Sequence, residues 1–207
     1  LRTRGKLKGL GPGVRRDGFI AGVAFAIEGG PAFYLPIAHQ NGKNLDREKV
    51  LEYLRDQAAA FTGAGTSIAG ANLPDDLDYL EEAGVVFKPE RFRDVQVAEP
   101  LLDELQHTYG LNAIAERRGL EGKAEGLLEE AARAYGVDAK AGLWKLPAEY
   151  VGPYAERDVR LPLELLREQE EELREQDLWG IYDLESRVLP ATVAMRRRGV
   201  LIDQDQL

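Results

Sequence analysis

Two pairs of polar side chains in this sequence are spaced by about one helical turn. Tyr154 and Asp158 lie four residues apart, as do Asn72 and Asp76. An α-helix repeats every ~3.6 residues, so each pair falls on a single helix face. Carboxylates bind hard divalent cations and a phenol orients water, so Tyr154 beside Asp158 suits metal-assisted hydrolysis. The competing interpretation is an ordinary surface pair, which is the more common origin of this spacing taken alone.

The Asn72 pair lies between a predicted strand at 66–69 and a predicted helix at 74–83. Ligands of α/β proteins commonly bind where a strand ends and the next helix begins. The alternative is structural: Asn72 caps the helix, while Asp75 and Asp76 favour its positive N-terminal end. Capping and ligand binding use the same geometry, so both interpretations stay open.

The rest of the chain predicts a mixed α/β domain with helices on the faces of a sheet. Apolar runs at 18–28 and 32–37 are joined by a Gly-Gly turn, which indicates an antiparallel hairpin. Another short strand is predicted at 85–87, and a new one begins near Val200. The predicted helices are 47–60, 94–109, 111–118, 124–135, 154–176 with a kink at Pro162, and 177–198 interrupted by Pro190.

Composition excludes several classes of protein. The 207 residues carry a net charge of −9, with two His and no Cys, which excludes disulfides and thiolate metal sites and disfavours a His-rich zinc site. The acidic balance argues against a simple DNA-binding module, although a nuclease whose carboxylates hold metal ions stays compatible. No apolar run reaches the ~20 residues of a membrane span, and the basic start, Leu1 to Lys8, lacks the apolar core of a signal peptide. We therefore expect a cytoplasmic protein without a membrane partner.

Other conspicuous side chains have mainly structural interpretations. His39 is expected to be a hydrogen-bonded structural histidine, and Asp94 to cap the helix that follows it. Trp144 and Tyr150 have two open interpretations, stacking on a nucleic-acid base or packing in the core.

In their order along the chain, these motifs resemble the proofreading 3′–5′ exonuclease domain of family A DNA polymerases, of the DEDDy class and in its bacteriophage-type form. The segment from Glu185 to Asp203 resembles the connection from that domain to the polymerase thumb. The resemblance is carried by Phe25-Ala26-Ile27-Glu28, Tyr34 to His39, Gly70 to Asp76, Leu111 to Ala115 and Tyr154 to Asp158.

The resemblance implies an RNase H-like mixed sheet flanked by helices, with a C-terminal helical extension leading toward a thumb. It divides the chain into an irregular basic leader at 1–17, an exonuclease-like domain at 18–176 and the start of a polymerase domain at 177–207. The implied reaction is hydrolysis of the 3′-terminal phosphodiester of single-stranded DNA. The implied partners are that DNA end and a polymerase domain in the same or an associated chain.

The resemblance also implies a role for each site residue. Two divalent metal ions, Mg²⁺ or Mn²⁺, would flank the scissile phosphate, with Asp158 binding the ion that activates water and Asp76 holding the second. Tyr154 would orient the attacking water, and Asn72 and Leu73 would contact the substrate.

One motif of the family is absent from this sequence. The family carries Asp-x-Glu on a strand that would precede Leu1, and that strand lies in the middle of a sheet of order 3-2-1-4-5. The segments 18–28 and 32–37 would be strands 2 and 3, and 66–69 would be strand 4. We therefore expect an apolar strand bearing Asp-x-Glu to be supplied upstream of Leu1 or by another chain. Direct pairing of 18–28 with 66–69 would contradict this interpretation.

Two alternatives remain beside the exonuclease. The first is a catalytically inactive exonuclease-fold module with a structural or partner-binding role in a replication complex. The second is an RNA exonuclease of the same superfamily, which the thumb-like C-terminal segment disfavours.

Overall fold

The computed structural model describes residues 18–122, 125–139 and 141–199. Strands and helices alternate up to Asp94 and helices follow from Val95 onward, which confirms the predicted mixed α/β class and is compatible with an RNase H-like fold. The elements are β1 (Gly22–Ala26), β2 (Ala32–Pro36), α1 (Arg47–Ala60), β3 (Thr62–Gly70), α2 (Leu73–Glu82), β4 (Lys88–Asp94), α3 (Val95–Leu102), α4 (Leu111–Arg117), α5 (Glu125–Ala134), a 3₁₀ turn (Leu143–Lys145), α6 (Ala148–Glu175) and α7 (Trp179–Arg198).

The four described strands form two separate two-stranded sheets. β1 pairs with β2 in antiparallel register, with Ala24 opposite Tyr34, which confirms the predicted hairpin. β3 pairs with β4 in parallel register, with Ile68 opposite Phe92. Among the described strands, β1 and β3 are not hydrogen-bonded to each other. The pairing that would have contradicted the expected sheet order is therefore not found.

The strand predicted at 85–87 is misplaced, because pairing begins only at Lys88. Val85 is 1% exposed and packs with the buried face of α1, so its apolar character reflects core packing in a connection. β4 itself escaped prediction because charged residues dominate its sequence, Lys-Pro-Glu-Arg-Phe-Arg-Asp. β3 is also longer than the predicted 66–69, since its Gly-rich first half has little intrinsic strand preference.

Three helices differ clearly from prediction, two in a boundary and one in its continuity. The helix predicted to reach residue 109 ends at Leu102, where the Asp103 side chain accepts the backbone N–H of Leu105 at 3.2 Å and so forms a local turn that competes with the helix. α6 begins at Ala148, six residues early, and continues through Pro162. α7 likewise continues through Pro190, so the predicted interruption there is wrong. The predicted leader at 1–17 and the strand from Val200 lie outside the described residues.

The long helix α6 joins the two sheets. It contacts β1 and β2 on one side and β3 on the other. Its buried Leu161 and Leu165 pack with Val95 and Ile114 from α3 and α4, and with Tyr182 of α7. On the far side of β4, α7 packs Leu189 and Val193 against Leu73, Leu77 and Phe92. The helices thus hold the two sheets beside each other although no strand described here connects them.

Candidate functional site

A groove of about 1460 Å³ separates the two sheets. Its walls include β1, the second half of β3 and one side of α6. The five residues singled out from the sequence all line this groove, namely Asn72, Leu73, Asp76, Tyr154 and Asp158. Motifs about eighty residues apart in sequence therefore meet along one surface.

The size and the walls of the groove fit a polymer segment better than a small ligand. Its volume exceeds the roughly 300–1,000 Å³ that is usual for small-molecule sites. β1 and β3 each have a single partner strand among the described residues, so each presents a second edge of backbone N–H and C=O groups. An additional extended segment would satisfy these groups and join the sheets.

The turn between β3 and α2 holds Asn72 in an unusual conformation. Asn72 has φ +59° and ψ +44°, a left-handed geometry that Asn tolerates better than most residues. It occupies the cap position, but its side chain makes no capping hydrogen bond to the helix. Its amide nitrogen instead donates to Oδ2 of Asp75 at 2.7 Å. The proposed side-chain cap by Asn72 is therefore wrong.

Asp94, at the end of β4, caps the backbone N–H groups at the start of α2 instead. Its carboxylate accepts the backbone N–H of Leu73 at 2.8 Å and that of Asn72 at 3.2 Å, and also caps its own helix through Gln96 at 2.8 Å. The prediction that Asp94 caps the helix after it, α3, is confirmed. Its contact with the start of α2 was not predicted from the sequence. Asp94 is 1% exposed, and this burial raises the pKa of its carboxyl despite the backbone hydrogen bonds that lower it.

Tyr154 and Asp158 are supported differently, by the apolar packing of α6. The ring of Tyr154 packs at the edge of a core cluster that includes Leu146 and Val151. Asp158 is half-buried, and its Oδ1 atom is shielded from solvent. Pro162 follows one turn later and has no N–H to donate to the carbonyl of Asp158, a local weakness of the helix at the groove.

His39 ties the hairpin to the segment before α6. Its Nδ1 lies 2.7 Å from the carbonyl oxygen of Leu146, which only accepts, so Nδ1 carries the proton. Nε2 is then the acceptor for the hydroxyl of Tyr34 at 2.5 Å. Burial raises the pKa of Tyr34 to about 12, so this hydroxyl stays protonated. The prediction of a structural histidine is confirmed. The hydrogen bonds of His39 connect β2 to the segment that leads into α6, the helix of Tyr154.

Trp144 and Tyr150 both make packing contacts. Trp144 meets Phe19 edge-on at 5.5 Å between ring centroids, and Tyr150 packs in the same cluster as Tyr154. Neither ring is among the described residues that line the groove. These contacts favour the core-packing interpretation over base stacking.

Asp76 and Asp158, two of the carboxylates that line the groove, belong to the metal-binding set that the sequence predicts. Asp76 and Asp158 supply the hard oxygen donors that Mg²⁺ and Mn²⁺ prefer. Within the described residues, however, no group of three His, Cys, Asp or Glu side chains is gathered in a way that would hold a metal ion. The donors are of the right chemistry, and further carboxylates are needed to complete the set.

Sequence comparison relates the chain to phage replication proteins. It is 55% identical over 204 residues to a protein of Pseudomonas phage M6 named DNA-directed DNA polymerase, and that match covers 97% of this chain. It is 28% identical over 189 residues to a DNA polymerase DpoZ of Salmonella phage PMBT28, and 23% identical over 183 residues to one of Acinetobacter phage SH-Ab 15497. The chain is thus related to phage DNA polymerases.

The match is restricted to one part of these relatives. The chain spans 30%, 28% and 29% of their respective lengths. No protein-family model matches the chain. Among the described helices, none combines the length and apolar composition that crossing a membrane requires.

Proposed function

We propose that this chain is the 3′–5′ exonuclease part of a phage DNA polymerase and removes nucleotides from the 3′ end of single-stranded DNA. The observation that carries the proposal is the shared groove, because Asn72, Leu73 and Asp76 from one motif and Tyr154 and Asp158 from the other line the same surface. The named polymerases among the relatives support a role in DNA metabolism. The two motifs and their order support the exonuclease assignment.

Each groove residue has a role that its environment suits. Asp76 and Asp158 would hold divalent cations, which supply Lewis-acid polarisation of the phosphodiester when bound. Tyr154 has an apolar ring contact that fixes its position, so its hydroxyl would orient the attacking water. Asn72 and Leu73 lie at the end of β3 and would contact the terminal nucleotide. Release of the terminal nucleotide as its 5′-monophosphate would expose a new 3′ hydroxyl.

We propose further that an apolar strand bearing Asp-x-Glu fills the groove between β1 and β3. Such a strand would satisfy both open edges, where each buried N–H or C=O left unpaired costs ~1–3 kcal/mol. A protein is stable by only ~5–15 kcal/mol, so a full row of such groups would be a large penalty. The same strand would add two carboxylates beside Asp76 and Asp158.

The test compares two extended chains. An apolar strand with Asp-x-Glu, or the same strand with Asn-x-Gln, is joined ahead of Leu1, and each protein is incubated with 5′-labelled single-stranded DNA and Mg²⁺. Both extensions should raise the free energy of unfolding, because both fill the groove. Only the Asp-x-Glu form should shorten the DNA from its 3′ end. A stabilised, monomeric Asp-x-Glu protein that leaves the DNA intact would contradict the proposal.

A second candidate is a non-catalytic exonuclease-fold module. The observation in its favour is that, among the described residues, no group of three His, Cys, Asp or Glu side chains is gathered in a way that would hold a metal ion. Calorimetric titration of the Asp-x-Glu protein with Mn²⁺ separates the candidates. The exonuclease requires a saturable site that the Asn-x-Gln strand abolishes, whereas the non-catalytic module requires identical, weak titrations of both proteins.

A further inference from the structure

Two adjacent arginines at the end of α7 form ion pairs with different turns of α2. Arg196 places Nη1 and Nη2 at 3.1 and 3.0 Å from Oδ1 of Asp75, in the first turn of α2. Arg197 binds further along that helix, with Nη1 at 2.9 Å from Oδ1 of Asp78 and Nη2 at 2.9 Å from Oε2 of Glu82. The two side chains are 28% exposed, so they differ in partners and hardly in burial.

Only the Arg196 contact leads to the groove. Oδ1 of Asp75 accepts from Arg196, while Oδ2 of Asp75 accepts from the side-chain amide of Asn72 at 2.7 Å. This chain of contacts, Arg196–Asp75–Asn72, ends at a residue that lines the groove, one turn from Asp76. Neither carboxylate that Arg197 contacts at 2.9 Å, Asp78 or Glu82, lies in the first turn of α2.

We propose that Arg196 is a positioning residue that orients the Asn72 amide through Asp75 and neutralises the Asp75 carboxylate beside the groove. The inference rests on the proposed exonuclease function, because the ligand of that site would be an anionic phosphodiester strand. The planar guanidinium of Arg196 fixes one oxygen of Asp75, so the other oxygen is held where Asn72 donates. With its charge balanced, Asp75 does not repel the approaching phosphate.

The contact also links the site to α7. Asn72 has a left-handed backbone and no capping bond of its own to α2, so its side-chain orientation depends on Asp75. Arg196 belongs to the last turn of α7, whose remaining turns pack on β4 and α2. The position of α7 is therefore transmitted to the amide that faces the substrate strand.

Kinetics of paired variants test the inference. Arg196→Gln and Arg197→Gln are introduced into the chain extended with the Asp-x-Glu strand, and KM and kcat are measured on single-stranded DNA. Arg196→Gln should raise KM about 3- to 10-fold, the size of effect expected for one charge-assisted hydrogen bond, with kcat within about twofold of wild type. Arg197→Gln should lower the unfolding midpoint, since it removes an ion-pair partner of the buried Asp78, and leave KM unchanged.

A rescue variant distinguishes positioning from general damage. Adding Asp75→Asn to Arg196→Gln removes the uncompensated charge and keeps an oxygen that accepts from Asn72, so KM should return to within about twofold of wild type. If KM stays raised in the double variant, or if Arg197→Gln raises KM as much as Arg196→Gln, the inference is wrong.

A measurement without DNA keeps the inference separate from the proposed function. In the 207-residue chain, the side-chain amide signals of Asn72 in a ¹H–¹⁵N spectrum should shift in Arg196→Gln and not in Arg197→Gln. An unmoved Asn72 signal with an active wild-type enzyme overturns the positioning role alone. An inactive wild-type enzyme overturns the exonuclease proposal, and the Asn72 signal then still decides whether Arg196 orients this amide.

Discussion

The two helices that carry the predicted site residues present the same spacing, yet they are held in different ways. At the start of α2, the turn that carries Asn72 is held by hydrogen bonds and charge, through the buried carboxylate of Asp94 and the Asp75–Arg196 ion pair, in addition to the apolar packing of Leu73 and Leu77. On α6, Tyr154 and Asp158 depend on apolar packing of a long helix against core clusters. A polar support is sensitive to pH and salt, whereas an apolar support is sensitive mainly to side-chain volume.

This difference suggests that the α2 residues and the α6 residues have different roles within the proposed site. The α6 residues belong to a rigid element whose position is fixed by buried Leu161 and Leu165, which suits groups that must hold a reacting atom in place. The α2 residues follow a turn whose shape is set by a few polar contacts, which suits groups that adapt to a substrate strand. Substitutions at the two supports should therefore affect different properties.

The largest effect is expected from Asp158→Asn in the chain extended with Asp-x-Glu. The change keeps the shape of the side chain and removes the charge of a proposed metal ligand, so the rate should fall about 10³-fold or more. Digestion of 5′-labelled single-stranded DNA measures this rate. Glu156→Gln removes a charge from another face of the same helix and serves as the control. Near-normal digestion by Asp158→Asn would exclude the assigned role.

Tyr154→Phe should have a smaller effect on the same reaction. The ring and its packing remain, so α6 should stay in place, while loss of the hydroxyl that orients water should lower kcat by roughly 10- to 10³-fold. The unfolding midpoint of the variant checks that the packing is intact. A loss greater than that of Asp158→Asn would mean that the roles of the two residues are exchanged.

Much of the fold followed from the sequence because its signals were local. The hairpin is marked by apolar runs around a Gly-Gly turn, and α1 begins after Asp46, whose side chain accepts the N–H of Lys49 at 3.1 Å. β4 was misplaced because its position is set by pairing with β3, while Arg91 and Arg93 mask its strand character. Patterns within a segment revealed local structure, whereas long-range pairing decided the sheet.

For the candidate site too, local patterns could be predicted from the sequence and long-range contacts could not. The two pairs, Asn72 with Asp76 and Tyr154 with Asp158, stand out by their spacing, and all four residues line one groove. The long-range contacts that support them do not stand out, because Asp94 and Arg196 act across 21 and 121 positions of sequence on Leu73 and Asp75. No local pattern encodes such contacts, so the support of the site required the three-dimensional structure.

Asp94→Asn tests the polar support of α2. The substitution places an NH₂ group where one carboxylate oxygen accepted a backbone N–H, so it should destabilise the fold by ~1–3 kcal/mol. Burial raises the pKa of Asp94 above its ordinary value of 3.8, so the neutral carboxyl is favoured in the folded state. The stability from this group is fully present below the unfolded-state pKa and is lost as pH rises through the folded-state pKa.

The wild-type protein should therefore lose stability relative to Asp94→Asn as pH rises above the unfolded-state pKa of Asp94 and through its raised folded-state pKa. Urea unfolding followed by circular dichroism at several pH values measures this difference. Asp103→Asn, which alters a partly buried turn carboxylate after α3, provides the control. A difference between wild type and Asp94→Asn that is constant over this range would show that the titration of Asp94 is not linked to folding.

Tyr34→Phe tests a polar contact near the start of α6 and should have the smallest effect. It removes the hydroxyl that donates to Nε2 of His39 and keeps the ring packed near Tyr154, so it should cost about 1 kcal/mol of stability. Because apolar packing holds α6, the variant should retain exonuclease activity within about twofold, as expected for a change that leaves the reacting groups in place. The thermal midpoint and the digestion rate of the extended chain provide the two measurements. If Tyr34→Phe lowers activity as much as Tyr154→Phe, the position of Tyr154 depends on the His39 contact, and the two helices are supported in the same way.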